Sequence, residues 1–280
     1  MEAANELGFE QFRAIEPTPT PNDPPWTAWI AILAWGMSVL FIIFFPALFI
    51  FPYMASIKPQ FADNHAMIEF AKSDPTMLLL QVIAVIPAHL ATLLVSWFIV
   101  TKGRRYSFTQ TLGWSMNGMK WWHFILILVG FFALAASVTQ LHPEEDNDML
   151  RLLASSRSAV LVVAFMATVT APIVEEVIYR GLLFSAFQRA AGPIAAILVV
   201  TGLFTAVHVP QYWPSYSTIG LLMLLSLILT LIRFKTNNLL PCIILHTIFN
   251  GFQSALLIME PYIDKQPPAA EAAALIAKFF

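Results

Sequence analysis

The stretch Trp26–Met54 contains no charged side chain. A helix rises about 1.5 Å per residue, so about 20 apolar residues cross the hydrocarbon core of a bilayer. Trp26, Trp29 and Tyr53 stand near the ends of this stretch, where interfacial aromatics belong. Composition extends the point to the whole chain. Of 280 residues, 58% are hydrophobic and 11% charged, and the mean hydropathy is +0.72. A soluble domain carries about 25% charged residues. The charged side chains are too few to cover a water-facing surface. That excludes a soluble globular protein, a disordered chain and a collagen-like fibre, and leaves an integral membrane protein.

A net charge of −2 argues against nucleic acid as a partner. The one cysteine, Cys242, allows no internal disulfide and no thiolate metal cluster. The start, Met1-Glu2-Ala3, has no basic region before an apolar run, so the first run is expected to be retained as a span. Residues 1–25 read as a polar, Pro-rich tail, extended and solvated. A polar loop, 55–75, precedes a second span over Thr76–Thr101 that contains Pro87 and His89. Lys102, Arg104, Arg105 and Lys120 then share one short segment without an acid, which is expected to face the cytoplasm. A third span, Trp121–Leu141, is followed by an acidic loop with Glu144, Glu145, Asp146 and Asp148.

Four apolar segments remain: Ser158–Arg189, which Pro172 is expected to bend, then Gly192–Val209, Thr218–Ile232 and Asn238–Met259, with Arg233 and Lys235 between the last two. No internal repeat and no β-barrel alternation is present. The expected fold is all-α, a polytopic membrane bundle of seven or eight transmembrane helices, multi-pass in a bacterial or archaeal cell membrane. Its expected divisions are the tail 1–25, transmembrane helices over 26–157, a catalytic core over 158–259 and a carboxyl-terminal tail over 260–280.

Ionisable groups inside apolar segments are costly and therefore informative. They are His89, Glu175, Glu176, Arg180, His208 and His246, with Asn250 beside them. Glu176 and Arg180 are four apart and stack on one helix face, as an ion pair would. Glu175 is rotated by about 100° and has no partner in its own helix. A carboxylate held away from bulk water suits a general base. Phe204 and His208 share a face, and so do His246 and Asn250. The latter two can present donors to one oxygen, or can join helices by hydrogen bonding. His89 reads as a packing residue. Together, a free carboxylate, a carboxylate–arginine pair, two histidines and an asparagine on consecutive apolar segments supply the parts of amide hydrolysis by activated water.

The pattern Glu175-Glu176-x-x-x-Arg180, Phe204-x-x-x-His208 and His246-x-x-x-Asn250 resembles the CPBP family, also called Abi: the CaaX prenyl proteases and bacteriocin-processing enzymes. The resemblance covers about residues 158–258. It implies an intramembrane glutamate endopeptidase with a helical-bundle fold. By that resemblance Glu175 is the water-activating base and His208 its partner, with His246 and Asn250 on the oxyanion side. Glu176 and Arg180 support them, and Phe204 packs the site. No cofactor is implied; zinc held by Glu175, His208 and His246 is the minor alternative. The implied partners are membrane lipid and a membrane-associated or lipidated peptide.

A cysteine mechanism through Cys242, four residues before His246, would leave the glutamate pair and His208 idle. No His-Glu-x-x-His, Gly-x-Gly-Asp or Gly-x-Ser-Gly signature of other intramembrane proteases is present. The non-enzymatic alternatives are a membrane scaffold or bacteriocin-immunity protein of the same fold, or a transporter relaying protons.

Overall fold

The computed structural model describes residues 18–57, 61–142 and 145–263. The expectations for 1–17, Glu144 and 264–280 lie outside the described residues. Among the described residues every element is helical, apart from an isolated bridge between Thr20 and Asp23. In chain order the helices are α1 (Ala28–Ile57), α2 (Asn64–Ser73), α3 (Pro75–Thr101), α4 (Phe108–Leu112), α5 (Trp121–Leu141) and α6 (Asp148–Ser155). They continue with α7 (Arg157–Phe165), α8 (Ala171–Glu176), α9 (Phe184–Tyr212), α10 (Tyr216–Thr236) and α11 (Leu240–Ile263). Wide π-helical turns, Met166–Thr170 and Val177–Leu183, join α7 to α8 and α8 to α9.

Six helical stretches among the described residues are long and apolar enough to cross a membrane, and the protein is an integral membrane protein. One of them, Arg157–Tyr212, is 56 residues long. As one straight helix it would reach about 84 Å, nearly three hydrocarbon thicknesses. It does not run straight, because Gly192 has φ 84 and ψ 169, a conformation that side-chain-bearing residues avoid. The two limbs coincide with Ser158–Arg189 and Gly192–Val209, so the seven segments read from sequence and the six helical stretches describe one architecture. Pro172 does not bend the chain out of the helix. It lacks an N–H and its ring collides with the carbonyl four residues back; the wide turn Met166–Thr170 takes up that conflict.

Helices apolar on every side cannot be oriented by hydrophobicity alone, so they approach through small residues. Ala31, Ala34 and Ser38 of α1 and Ala84, Ala88, Thr92 and Ser96 of α3 are buried, and these two helices pack together. Against them lie Val177, Ile178, Leu182, Leu183 and Phe204. A second cluster, including Phe131, Leu225, Leu229, Leu245 and Phe249, joins α5, α10 and α11. Leu40, Ile43, Phe51, Leu94, Leu126 and Leu198 point outward, as lipid-facing side chains do.

Three local expectations are corrected. The described part of the Pro-rich segment is only partly solvated: Thr18, Thr20 and Asp23 are exposed, but Pro24 is buried. Trp26 is buried and its indole N–H donates to Leu182 O at 3.0 Å. Arg189 donates to the carbonyls of Pro24 and Trp26, and Arg233 to that of Pro21. Proline carbonyls whose neighbours offer few N–H groups accept well, and two arginines of the bundle supply the donors. Arg233 is itself no loop cation. It is fully buried within α10 and also donates to Arg180 O at 3.2 Å and Ser185 Oγ at 3.0 Å. The polar loops contain short helices, α2 and α6. Asp63 and Asn147 cap them by accepting from Ala66 N at 2.8 Å and Leu150 N at 3.0 Å. Arg151 of α6 pairs with Asp146 at 2.7 Å and Asp148 at 3.4 Å.

Candidate active site

The catalytic candidates meet where α8 and its wide turns face α9, α10 and α11. Glu176 ends α8 and Arg180 lies in the following π turn, both fully buried, with Arg180 Nη1 2.9 Å from Glu176 Oε1. Burying two charges demands that most of their donors and acceptors be engaged. Arg180 meets that demand across α10: Nε donates to Thr230 Oγ1 at 3.2 Å, and Nη2 to both Ser226 O and Oγ at 2.8 Å. Glu176 Oε1 accepts a second donor, His246 Nδ1 of α11, at 2.9 Å. The other oxygen, Oε2, has no protein partner among the described residues.

An ionised carboxylate only accepts, so His246 carries its proton on Nδ1 and turns Nε2 the other way. There Nε2 is 3.8 Å from Glu175 Oε2. This exceeds a hydrogen bond and leaves the two atoms free to engage a third. The His246 side chain is 3% exposed and that of Glu175 is 22% exposed, so the carboxylate reaches open space.

His208 orients itself similarly. Its Nδ1–H donates to Phe204 O, one turn back, at 2.7 Å, which leaves Nε2 unengaged by that bond. The Phe204 ring is the shared floor, 4.6 Å from the His208 ring, 4.9 Å from the Arg180 guanidinium and 6.3 Å from the His246 ring. Asn250 Nδ2 donates to Ala167 O at 2.9 Å. The reason lies in the π turn. Ala171 N–H bonds Met166 O, and the next residue, Pro172, has no N–H to give, so Ala167 O falls to the asparagine. Asn250 thus joins helices with one N–H and keeps a second.

Glu175, His208, His246 and Asn250 line one cavity of about 510 Å³. His89, read from sequence as a packing residue, is in the same wall. It is buried on α3, with Nδ1 2.8 Å from Thr170 Oγ1. Its signal in the sequence was a lone imidazole in a span without charge. Cys242 is elsewhere: fully buried, its Sγ 3.4 Å from Leu229 O. Among the described residues no three His, Cys, Asp or Glu side chains converge as metal ligands.

Residues 157–252 match the family model for the Rce1-like type II CAAX prenyl endopeptidases. The match runs from α7 into α11 and contains every motif residue, in agreement with the family resemblance of those motifs. No curated protein and no solved structure matches the chain.

Proposed function

We propose that this membrane protein is an intramembrane endopeptidase that hydrolyses a peptide bond of a membrane-associated, CAAX-type prenylated substrate, using a water activated by Glu175. The reading is carried by the 3.8 Å spacing of Glu175 Oε2 and His246 Nε2 at the wall of a cavity that His208 and Asn250 also line. A base and an oxyanion donor this close can serve one carbon, because the attacking oxygen and the carbonyl oxygen are both bonded to it.

Glu175 Oε2 takes one proton from the water, and His208 Nε2 accepts a hydrogen bond from its other hydrogen. The water oxygen bonds to the scissile carbonyl carbon, and the carbonyl electron pair moves onto its oxygen. His246, carrying in this step a proton on Nε2 as well as the one its Nδ1 donates to Glu176, and the second N–H of Asn250 donate to that oxyanion. The tetrahedral centre collapses, the carbon–nitrogen bond breaks, and Glu175 returns its proton to the departing amine. Glu176, held by Arg180, keeps the His246 ring in register from the far side. No step requires a metal.

The apolar part of the cavity supports a lipidated substrate. Ile42 and Ile43 line it and are also exposed on the lipid-facing side of α1, 44% and 67% respectively. The cavity therefore borders the surface from which a prenyl chain would enter.

The test uses the full chain in liposomes with peptides ending in an S-farnesyl cysteine and three further residues, beside unmodified peptides. Wild type cleaves; Glu175→Gln and His208→Ala do not, while their melting curves match wild type. Full activity in Glu175→Gln overturns the mechanism. Peptide binding without cleavage by wild type assigns the protein to the scaffold class.

A further inference from the structure

Gln253 is a buried polar side chain that the proposed steps leave idle. It follows His246 by seven residues and Asn250 by three on α11, so the three share one helix face. It is 2% exposed, lines the same cavity as Glu175 and His208, and its amide nitrogen Nε2 has no hydrogen-bond partner among the described residues. It also stands just beyond the segment 157–252 that matches the family model. A buried donor without an acceptor destabilises a fold, whereas a leucine of similar volume would complete the apolar wall without that cost. An acceptor that arrives with the ligand resolves the mismatch.

We infer that Gln253 Nε2 donates to an oxygen of the bound peptide about three residues from the bond cleaved, a register that rests on the hydrolase reading above. Seven residues of helix advance about 10 Å. An extended peptide advances about 3.3 Å per residue, so about three residues span the interval from His246 to Gln253. The acceptor is a carbonyl-type oxygen. It belongs to a backbone amide or, in a peptide that ends there, to the terminal carboxylate. Gln253 is thus a substrate-binding residue that sets register and selects the length of the peptide beyond the scissile bond.

The experiment compares wild type and Gln253→Leu in liposomes, using a fluorescent S-farnesyl cysteine peptide with three residues after the cysteine. One version ends in a free carboxylate and one in an amide. The readings are kcat, KM, the Kd of the same peptides in a Glu175→Gln background, and the melting temperature. Loss of one hydrogen bond raises KM and Kd about tenfold, with kcat changed less than about threefold. Melting is unchanged or higher, since the orphan donor is gone. Gln253→Glu separates the two acceptors. It weakens the free-carboxylate peptide more than the amide if the terminus is held, and weakens both alike if a backbone carbonyl is held. KM and Kd within twofold of wild type in Gln253→Leu overturn the contact and leave the hydrolase standing. A fall in melting temperature that parallels the rise in KM assigns Gln253 to packing and also overturns it. Binding that depends on Gln253 without any cleavage sustains the contact and sinks the hydrolase. Absence of both binding and cleavage in wild type overturns both. If Gln253→Leu does not insert, Gln253→Met, unbranched like glutamine, carries the same readings.

Discussion

His246 Nδ1 lies 2.9 Å from Glu176 Oε1, a contact between residues 70 positions apart that ties α11 to α8 inside the bundle. The same oxygen holds Arg180, so one buried carboxylate fixes both a cation and the ring that faces Glu175. Neighbouring glutamates are thereby divided between two tasks. Glu176 belongs to the buried framework, and Glu175 to the cavity.

Their substitutions should separate stability from chemistry. Glu176→Gln leaves Arg180 buried without its counter-charge, and removal of one partner from a buried pair costs about 3–5 kcal/mol. The expected result is a large fall in melting temperature in detergent, accompanied by loss of cleavage. Glu175→Gln alters a partly exposed group that stands 3.8 Å from His246 Nε2, beyond hydrogen-bond distance, and melting should stay within a few degrees of wild type while cleavage is lost. Equal melting losses in the two variants would refute the division.

Trp26 gives the second prediction. Its indole is 2% exposed and donates to Leu182 O in the wide turn that carries Arg180. Trp26→Ala removes a large buried side chain, worth about 3–5 kcal/mol, and should lower the melting temperature strongly. Trp26→Phe retains most of the packing and loses only the hydrogen bond, with an expected cost of about 1 kcal/mol. Two melting curves decide the matter, since a solvated tail would show no loss in either.

The contrast between the motif residues and Trp26 shows what could be read from the chain. Glu175, Glu176, Arg180, His208, His246 and Asn250 were legible because lipid makes each such group expensive, and helical spacing pairs them face by face. The spans were legible from length and hydropathy. Other features depended on contacts between distant segments. Nothing in Pro21–Trp26 indicates that Arg189 and Arg233 would bind its carbonyls. Likewise, Arg233 resembles an interfacial cation until its partners Arg180 O and Ser185 Oγ are known. The wide turn Met166–Thr170 arises from Pro172 meeting a helix that must continue. His89 differed only in degree, because a single imidazole in a span carries no pairing signal until Thr170 and the cavity are placed beside it.

Cys242 supplies a third prediction. Its thiol is buried in the contact between α10 and α11, where Sγ faces Leu229 O at 3.4 Å and Asn238 O at 3.9 Å. A serine hydroxyl fits the same space and can donate to the same carbonyl. Cys242→Ser should therefore cleave at the wild-type rate, with kcat/KM within about twofold. A loss of activity in a normally folded Cys242→Ser protein would establish a thiol mechanism and displace Glu175.

The last prediction concerns metal. A zinc site of the catalytic type needs three protein ligands gathered at about 2.0–2.2 Å from one point. The rings of His208 and His246 each commit Nδ1 to a partner, Phe204 O and Glu176 Oε1, so Nε2 is the atom each could offer. Those atoms and the Glu175 carboxylate do not gather as a ligand set among the described residues. The Glu175–His246 pair alone, 3.8 Å apart, instead suits a water that gives up a proton on one side while the adjoining oxyanion gains a donor on the other. Exhaustive chelation, followed by metal analysis of the reconstituted protein, should leave cleavage unchanged. Activity that disappears with the chelator and returns on addition of stoichiometric zinc would show that these side chains regroup around the ion, and would replace the glutamate-activated water with a metal-bound one.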